Sequence, residues 1–335
     1  MGIDLPLLWA LIILFGVFMY VVMDGFDLGI GILFPFFPDR TDRDVMMNTV
    51  APVWDGNETW LVLGGAGLMA AFPMAYAAIL DAFMLPLVFM LLGLVFRGVA
   101  FEFRFKASDQ SRHLWDKAFI LGSLCAAFFQ GVTLGAYIDG LPMLNRNYVG
   151  GPFEWLTPFT AFTGVGVVAA YALLGCTWLI FKTEGPLQDR MRHVARPLIW
   201  VVLAVIGAIS LWTPLAHPDI AHRWFSLPNL FYFAPVPLLV LLVTFSLIKR
   251  VGREAHAGPF VLTLCLVFLG YSGLGISVWP HILPPDITIW QAAAPPQSQG
   301  FALVGALLII PLILMYTAWS YYVFRGKVRA GDGYH

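Results

Sequence analysis

Four acids stand out because of the company they keep. Asp24 and Asp27 lie in YVVMDGFDLGIG (20–31), and Asp55 and Glu58 in APVWDGNETWLVLGG (51–65), both within long apolar stretches. Ionisable side chains at membrane depth are costly and mark substrate paths or proton relays. A carboxyl taken out of water bears its charge at a cost, so it can hold and pass a proton at neutral pH. Each pair is spaced i, i+3, which puts both members on one face of a helix. Plainer readings compete. Asp55 can cap a late-starting helix, and the Asp-Gly-Phe-Asp run can pair with Arg97 or Arg104. Trp54 and Trp60 flank the second pair, six residues apart, so they do not share a face. Each can line the edge of a cofactor or a gas route, or pack in the core. Arg97 is the cation nearest the acids; it is expected at the inner end of its helix, reaching for the interface. None of these is a catalytic residue in the strict sense.

The elements that must hold these acids are membrane helices. Of 335 residues, 59% are hydrophobic and only 12% charged, where a soluble domain carries about 25% charged residues. About 20 apolar residues cross the roughly 30 Å hydrocarbon layer as a helix. Nine spans are expected, near 6–34, 50–72, 75–100, 116–138, 156–181, 197–215, 230–250, 258–280 and 302–324. The first is read as a helix and not as a cleaved leader, because it lacks a basic start and a small-residue cleavage site. The second is the doubtful span, since it contains Asp55 and Glu58. Charge decides for it. With nine spans, one side collects Arg40, Arg43, Arg97, Arg104, Lys106, Arg112, Lys117, Lys182, Arg190, Arg192, Arg196, Lys249, Arg250, Arg253, Arg325, Lys327 and Arg329. The other side keeps Arg146 and Arg223. Lys and Arg concentrate in cytoplasmic loops. The N-terminus is therefore expected outside, the C-terminus in the cytoplasm, and all four acids in the inner half of the bilayer.

A faint repeat accompanies this topology. QGVTLGAYIDGLP (130–142) and LGYSGLGISVWPHILP (269–284) are both Gly-rich and close on Leu-Pro. They hint at two related four-helix units plus a ninth helix, though Gly-rich packing faces would look the same. The chain then reads as one transmembrane domain over 1–335, with halves near 1–140 and 150–285 and a peripheral helix near 300–325.

Other chemistries lack their residues. Cys125, Cys176 and Cys265 are widely spaced in apolar runs and form no disulfide framework or zinc pattern. No Walker loop, HExxH, GxSxG or dinucleotide fingerprint occurs, and no basic patch suggests nucleic acid. His113, His193 and His256 fall in inner loops, His217, His222 and His281 at or beyond outer span ends, and His335 at the terminus. A haem held within the bilayer usually needs a His axial ligand. If the chain serves electron transfer, its haems belong to another subunit and no metal is ligated here.

The same segments carry a resemblance. DGFDLGIG (24–31), NTVAPVWDGNETWLVLGG (48–65), AAFPMAYAAIL (70–80) and LILMYTAWSYYVF (312–324) resemble subunit II of the cytochrome bd quinol oxidases, and within them the cyanide-insensitive branch. The likeness extends over essentially the whole chain. It implies an all-α membrane protein of two four-helix bundles plus one peripheral helix, in the bacterial inner membrane. It implies an electrogenic terminal oxidase that oxidises quinol and reduces O2 to water. Two haems b and one haem d would sit in the partner, subunit I, with quinol as substrate. A structural quinone on this chain, bound lipid and small single-helix accessory subunits are further expectations. Asp55 matches the family Asp implicated in proton uptake from the cytoplasm, Asp24 and Asp27 occupy its DGFD motif, and Trp60 falls where a Trp borders a proposed O2 route. At Glu58 some members carry Gln, which argues against an obligatory role. The rival reading is a stand-alone proton-coupled secondary transporter, which would need interrupted helices around a midplane cavity.

Overall fold

A computed structural model describes residues 3–252 and 257–332; Arg253, His256 and His335 lie outside the described residues. Helices account for almost all of it. α1 (Leu5–Leu33) leads to the short α2 (Arg40–Asn48), then α3 (Trp54–Ala71), α4 (Pro73–Ala82), α5 (Met84–Arg104) and α6 (Arg112–Asp139). A hairpin, β1 (Met143–Leu144) against β2 (Asn147–Tyr148), precedes α7 (Pro158–Lys182), α8 (Gly185–Ala216), α9 (Pro218–Phe225), α10 (Asn229–Phe233), α11 (Pro235–Val251) and α12 (Gly258–Val278). A second hairpin, β3 (His281–Leu283) against β4 (Ile287–Thr288), leads to α13 (Ile289–Ala292) and α14 (Pro296–Val323).

Among the described residues, eight helical segments are long and apolar enough to cross a membrane: Leu5–Phe36, Met84–Arg104, Arg112–Asp139, Pro158–Lys182, Gly185–Ala216, Asn229–Val251, Gly258–Val278 and Pro296–Val323. α3 is not among them. Its 18 residues open on WDGNETW, and that polar start offsets the apolar remainder.

Two expected spans are corrected in detail. The span expected at 50–72 starts as a helix only at Trp54, because residues 49–53 form a turn that includes Pro52. Asp55 therefore stands in the first helical turn, not several residues deep. The span expected at 75–100 is two helices broken at Phe83. Pro86 is the cause: a proline ring clashes with the carbonyl four residues back, here that of Ala82.

Local signals fix several helix starts. Asp4 accepts from the Leu7 amide at 3.0 Å to cap α1, with Pro6 in the first turn. Thr157 and Thr160 form a reciprocal capping box ahead of α7. These side chains satisfy orphan amides that each helix N-terminus leaves behind.

The middle of the bundle is held by backbone-to-backbone approach. α1 crosses α7 where Gly29 meets Tyr171 and Gly175; a Cβ on Gly29 would overlap the Tyr171 carbonyl oxygen. Gly93 of α5 and Gly122 of α6 meet in the same way. Small residues at helix contacts allow this packing in a membrane, where apolar burial gives little drive between helices. In the DGFDLGIG run, the glycines thus set helix spacing while the aspartates face the interior.

One end of the bundle gathers the basic loops. Arg40 pairs with Asp109 at 2.8 Å, Arg190 with Asp42, and Arg329 with Glu184. The chain past α14 docks there too. Val328 N donates to Lys182 O at 2.8 Å, Lys182 Nζ to Phe324 O at 2.7 Å, Lys327 Nζ to Thr183 O at 2.9 Å, and Asn48 Nδ2 to Asp332 O at 2.8 Å. At the other end the two Leu-Pro segments meet: Leu141 N donates to Pro284 O at 3.1 Å and the Tyr137 hydroxyl to Ile282 O at 2.9 Å.

Candidate functional site

α1, α3 and α5 bring the expected acids together around one guanidinium. Arg97 Nη2 lies 2.8 Å from Asp24 Oδ1 and 3.0 Å from Glu58 Oε2. The arginine does not reach for the interface: it is 0% exposed. Two acids from neighbouring helices, α1 and α3, hold it inside, and its flat face lies over Trp54, 5.5 Å from the ring centroid. Cation–π contact of this kind strengthens when water is excluded. Because Asp24 and Glu58 share one nitrogen, their nearest oxygens are at most about 6 Å apart. Asp27, one turn along α1 and also fully buried, accepts from Asn57 Nδ2 at 2.8 Å.

Asp55 and Glu58 lead out of the cluster. Asp55 is exposed and Glu58 about one-third exposed. Asp55 makes no side-chain cap, since the first turn of α3 is preceded by Val53; an acid there still favours the helix N-terminus. It lines an open cavity of about 460 Å³ at the basic-loop end, with Asn57, Glu102, Tyr316, Ser320 and Tyr321. The chain therefore offers carboxyls in a graded series: exposed Asp55, part-buried Glu58, buried Asp24.

The tryptophans divide. Trp54 stacks on Phe101, with centroids 5.1 Å apart. Trp60 is 0% exposed and meets Phe15 edge-on at 5.8 Å. Trp54 thus packs in the wall around the acids, and Trp60 packs between α3 and α1.

The acids were visible in the sequence, but their polar partners were passed over. Asn57 accepts from the Tyr321 hydroxyl at 2.8 Å. Gln130 Nε2 donates to Tyr20 OH at 2.6 Å and its Oε1 accepts from Tyr171 at 2.7 Å. Asn57 and Gln130 are polar residues inside expected spans, and that alone could have flagged them. Tyr20 precedes Asp24 by four, one helical turn. Nothing near Tyr321 in sequence points to Asn57, 264 residues away. Of the two cations expected for the Asp-Gly-Phe-Asp run, Arg97 takes Asp24, whereas Arg104, 1% exposed, holds Asp44 and Asp116 instead.

The donor set does not suit a haem. None of the five described histidines is buried. His193 is engaged with Asp189 O at 2.7 Å and His217 with Asp139 at 3.2 Å. His217, His222 and His281 line an open cavity of about 550 Å³ at the end opposite the basic loops, with Asp139, Asp219 and Arg223. Among the described residues no three His, Cys, Asp or Glu side chains gather as a metal site.

Helices of this length around a buried acid cluster define a multi-pass membrane protein. The family described as cytochrome bd terminal oxidase subunit II matches residues 5–324, and the chain belongs to it. It is 30% identical to the cytochrome bd-I ubiquinol oxidase subunit 2 of Escherichia coli (strain K12), over 98% of this chain and 96% of that one. It is 29% identical to the cytochrome bd ubiquinol oxidase subunit 2 of Bacillus subtilis (strain 168), over 96% of each. Its fold resembles a chain of the bd oxidase from Geobacillus thermodenitrificans, with a TM-score of 0.78 at 17% identity, covering 96% of this chain and 100% of that one. Membership makes the chain one subunit of a haem-containing quinol oxidase, a terminal oxidoreductase of the bacterial membrane, with a subunit I as partner. The transporter reading is not favoured.

Proposed function

We propose that this subunit carries protons from the cytoplasm to the haem-bearing partner through Asp55, Glu58 and Asp24. The carrying observation is the shared hold of Arg97 Nη2 on Asp24 and Glu58, with Asp55 at the mouth of a cavity one helical turn before Glu58. A proton taken by Asp55 moves to Glu58, then across the short gap to Asp24. Arg97 stays charged throughout and holds the two acceptors in register. Asp27 joins as a buried neighbour that shifts the charge balance. Trp54 and Trp60 act as wall and not as gas route.

In this reading α3 is a ninth crossing, the N-terminus is periplasmic and the C-terminus cytoplasmic. The clustering of the basic loops at the Asp55 end supports that orientation. So does the docking of the chain beyond α14 at the same end. α3 turns Asp55 and Thr59 outward. The two four-helix units near 1–140 and 150–285 with α14 beside them, the two haems b and haem d on subunit I, and quinol oxidation on the outer side follow the family resemblance.

The test is Asp55→Asn in the assembled complex. O2 reduction should fall while haem content, read from the optical spectrum, stays at the wild-type level. Unchanged turnover removes Asp55 from the path. Loss of haem with failed assembly makes its role structural.

A further inference from the structure

The buried acids have a second connection to the cavity, made of hydrogen bonds alone. Tyr321 lines the cavity and its hydroxyl donates to Asn57 Oδ1 at 2.8 Å; Asn57 Nδ2 donates to Asp27 Oδ2 at 2.8 Å. Two hydrogen bonds thus lead from open space to a fully buried carboxyl, one helical turn from Asp24. Asn57 stands at the wall of that cavity and is itself only 1% exposed.

Geometry alone would make this the preferred proton route. Chemistry forbids it. A relay member must gain a proton on one side and lose one on the other, as carboxyls and hydroxyls do. A carboxamide offers an acceptor oxygen and a donor nitrogen as separate atoms; it is neither acid nor base near neutral pH. Its neighbours hold it in one orientation. Nδ2 donates to Asp27 and Oδ1 accepts from Tyr321, so neither amide atom both takes and gives a proton. The same construction recurs on the far side of the cluster, where Gln130 separates Tyr20 from Tyr171.

We propose that Asn57 is a proton barrier, which closes the direct line from the cavity to Asp27 and confines uptake to Asp55 and Glu58. The inference rests on the relay reading above. It assigns Asn57 a selecting role: the residue moves no proton, and its amide keeps the buried acids from exchanging with the cytoplasm other than by the regulated path.

The test restores a route that the barrier closes. In the complex with subunit I, Asp55→Asn slows O2 reduction. Adding Asn57→Asp should bring turnover back to within about threefold of wild type, since an acid there links Tyr321 to Asp27. Adding Asn57→Leu should not. Asn57→Ser gives an uncharged exchangeable hydroxyl and should recover turnover partly where the aspartate impairs assembly. Asn57→Leu alone should leave turnover per haem close to wild type. The barrier is overturned if neither Asn57→Asp nor Asn57→Ser rescues Asp55→Asn in complexes of full haem content. It is also overturned if Asn57→Leu alone slows turnover as much as Asp55→Asn, for then Asn57 lies in the path. If Asp55→Asn is as fast as wild type, the relay reading fails first and the barrier with it, an outcome distinct from failed rescue.

Discussion

Arg97 and Arg104 lie two turns apart on α5, are 0% and 1% exposed, and each grips two carboxyls from other elements. Their surroundings differ in the charge count. Around Arg104 the acids Asp44 and Asp116 are matched by a second cation, Arg43, whose Nη1 is 2.9 Å from Asp116. Arg43 also donates to the carbonyls of Phe37 and Phe34, so it is fixed in place. Arg40 adds a third cation, 3.9 Å from Asp44 and 2.8 Å from Asp109, so no acid is left unmatched and the cluster closes as a structural clamp between α2, α5 and α6. Around Arg97 a single cation faces Asp24, Asp27 and Glu58. Fully ionised, that group would carry two unmatched negative charges inside the bundle. A balanced cluster has no use for protons, whereas one with surplus carboxyls does. The difference separates clamp from relay without reference to motif.

Removing each arginine tests the comparison at its strongest point. Taking one partner from a buried ion pair costs about 3–5 kcal/mol, because the other charge is left uncompensated. Arg97→Met strands the largest excess of acid and should prevent recovery of the haem-containing complex. Arg97→Lys keeps the charge but not the planar fork, and should assemble with slowed turnover. Arg104→Met should cost about 3 kcal/mol, read as a lower thermal midpoint of the purified complex. Arg43 remains beside Asp116, so the variant should still assemble, with turnover per haem unchanged. Slowed turnover per haem in Arg104→Met would break the distinction.

The acids themselves sharpen it. Asp24→Asn should lower turnover about tenfold, equivalent to about 1.4 kcal/mol on the barrier, with haem content intact. Asp116→Asn, its counterpart on Arg104, should move the thermal midpoint and leave turnover alone. Stopped-flow reduction of O2 with parallel spectra distinguishes the two.

The unequal visibility of these clusters in the sequence has a physical origin. Asp24, Asp27, Asp55 and Glu58 were legible because an acid in an apolar run is anomalous wherever the helix packs. Arg97 was legible as a cation and misread as a snorkelling one, because exposure depends on which neighbours close over it. The Arg104 clamp was invisible: Arg43, Asp44 and Asp116 sit in polar segments where charges are ordinary. Eight of the nine expected spans were legible from hydrophobic length; the ninth, α3, rested on loop charge alone. The late start of α3 and the break at Phe83 were not legible, since each turns on one proline inside an otherwise helical pattern. Asn57 stood in the quoted WDGNETW run, yet its meaning depends on Tyr321, brought to it by α14 from the far end of the chain.

Glu58 and Asp44 make the finest test, because they differ in almost nothing but cluster. Each is the outer carboxyl on its arginine, and their side chains are 31% and 32% exposed. Solvent screens both, so either substitution should change stability by no more than about 1 kcal/mol. Only Glu58 lies between an exposed acid and a buried one. Glu58→Gln removes an exchangeable proton from that series but keeps the shape and a hydrogen-bonding oxygen for Arg97. Unlike Asn57, which is 1% exposed, this side chain is 31% exposed, so solvent beside it can carry the proton past a Gln and the expected fall in turnover is small, about twofold, or roughly 0.4 kcal/mol. Asp44→Asn should leave turnover unchanged. Equal effects from the two, in complexes matched for haem, would mean that charge near α5 matters and its connection to Asp24 does not.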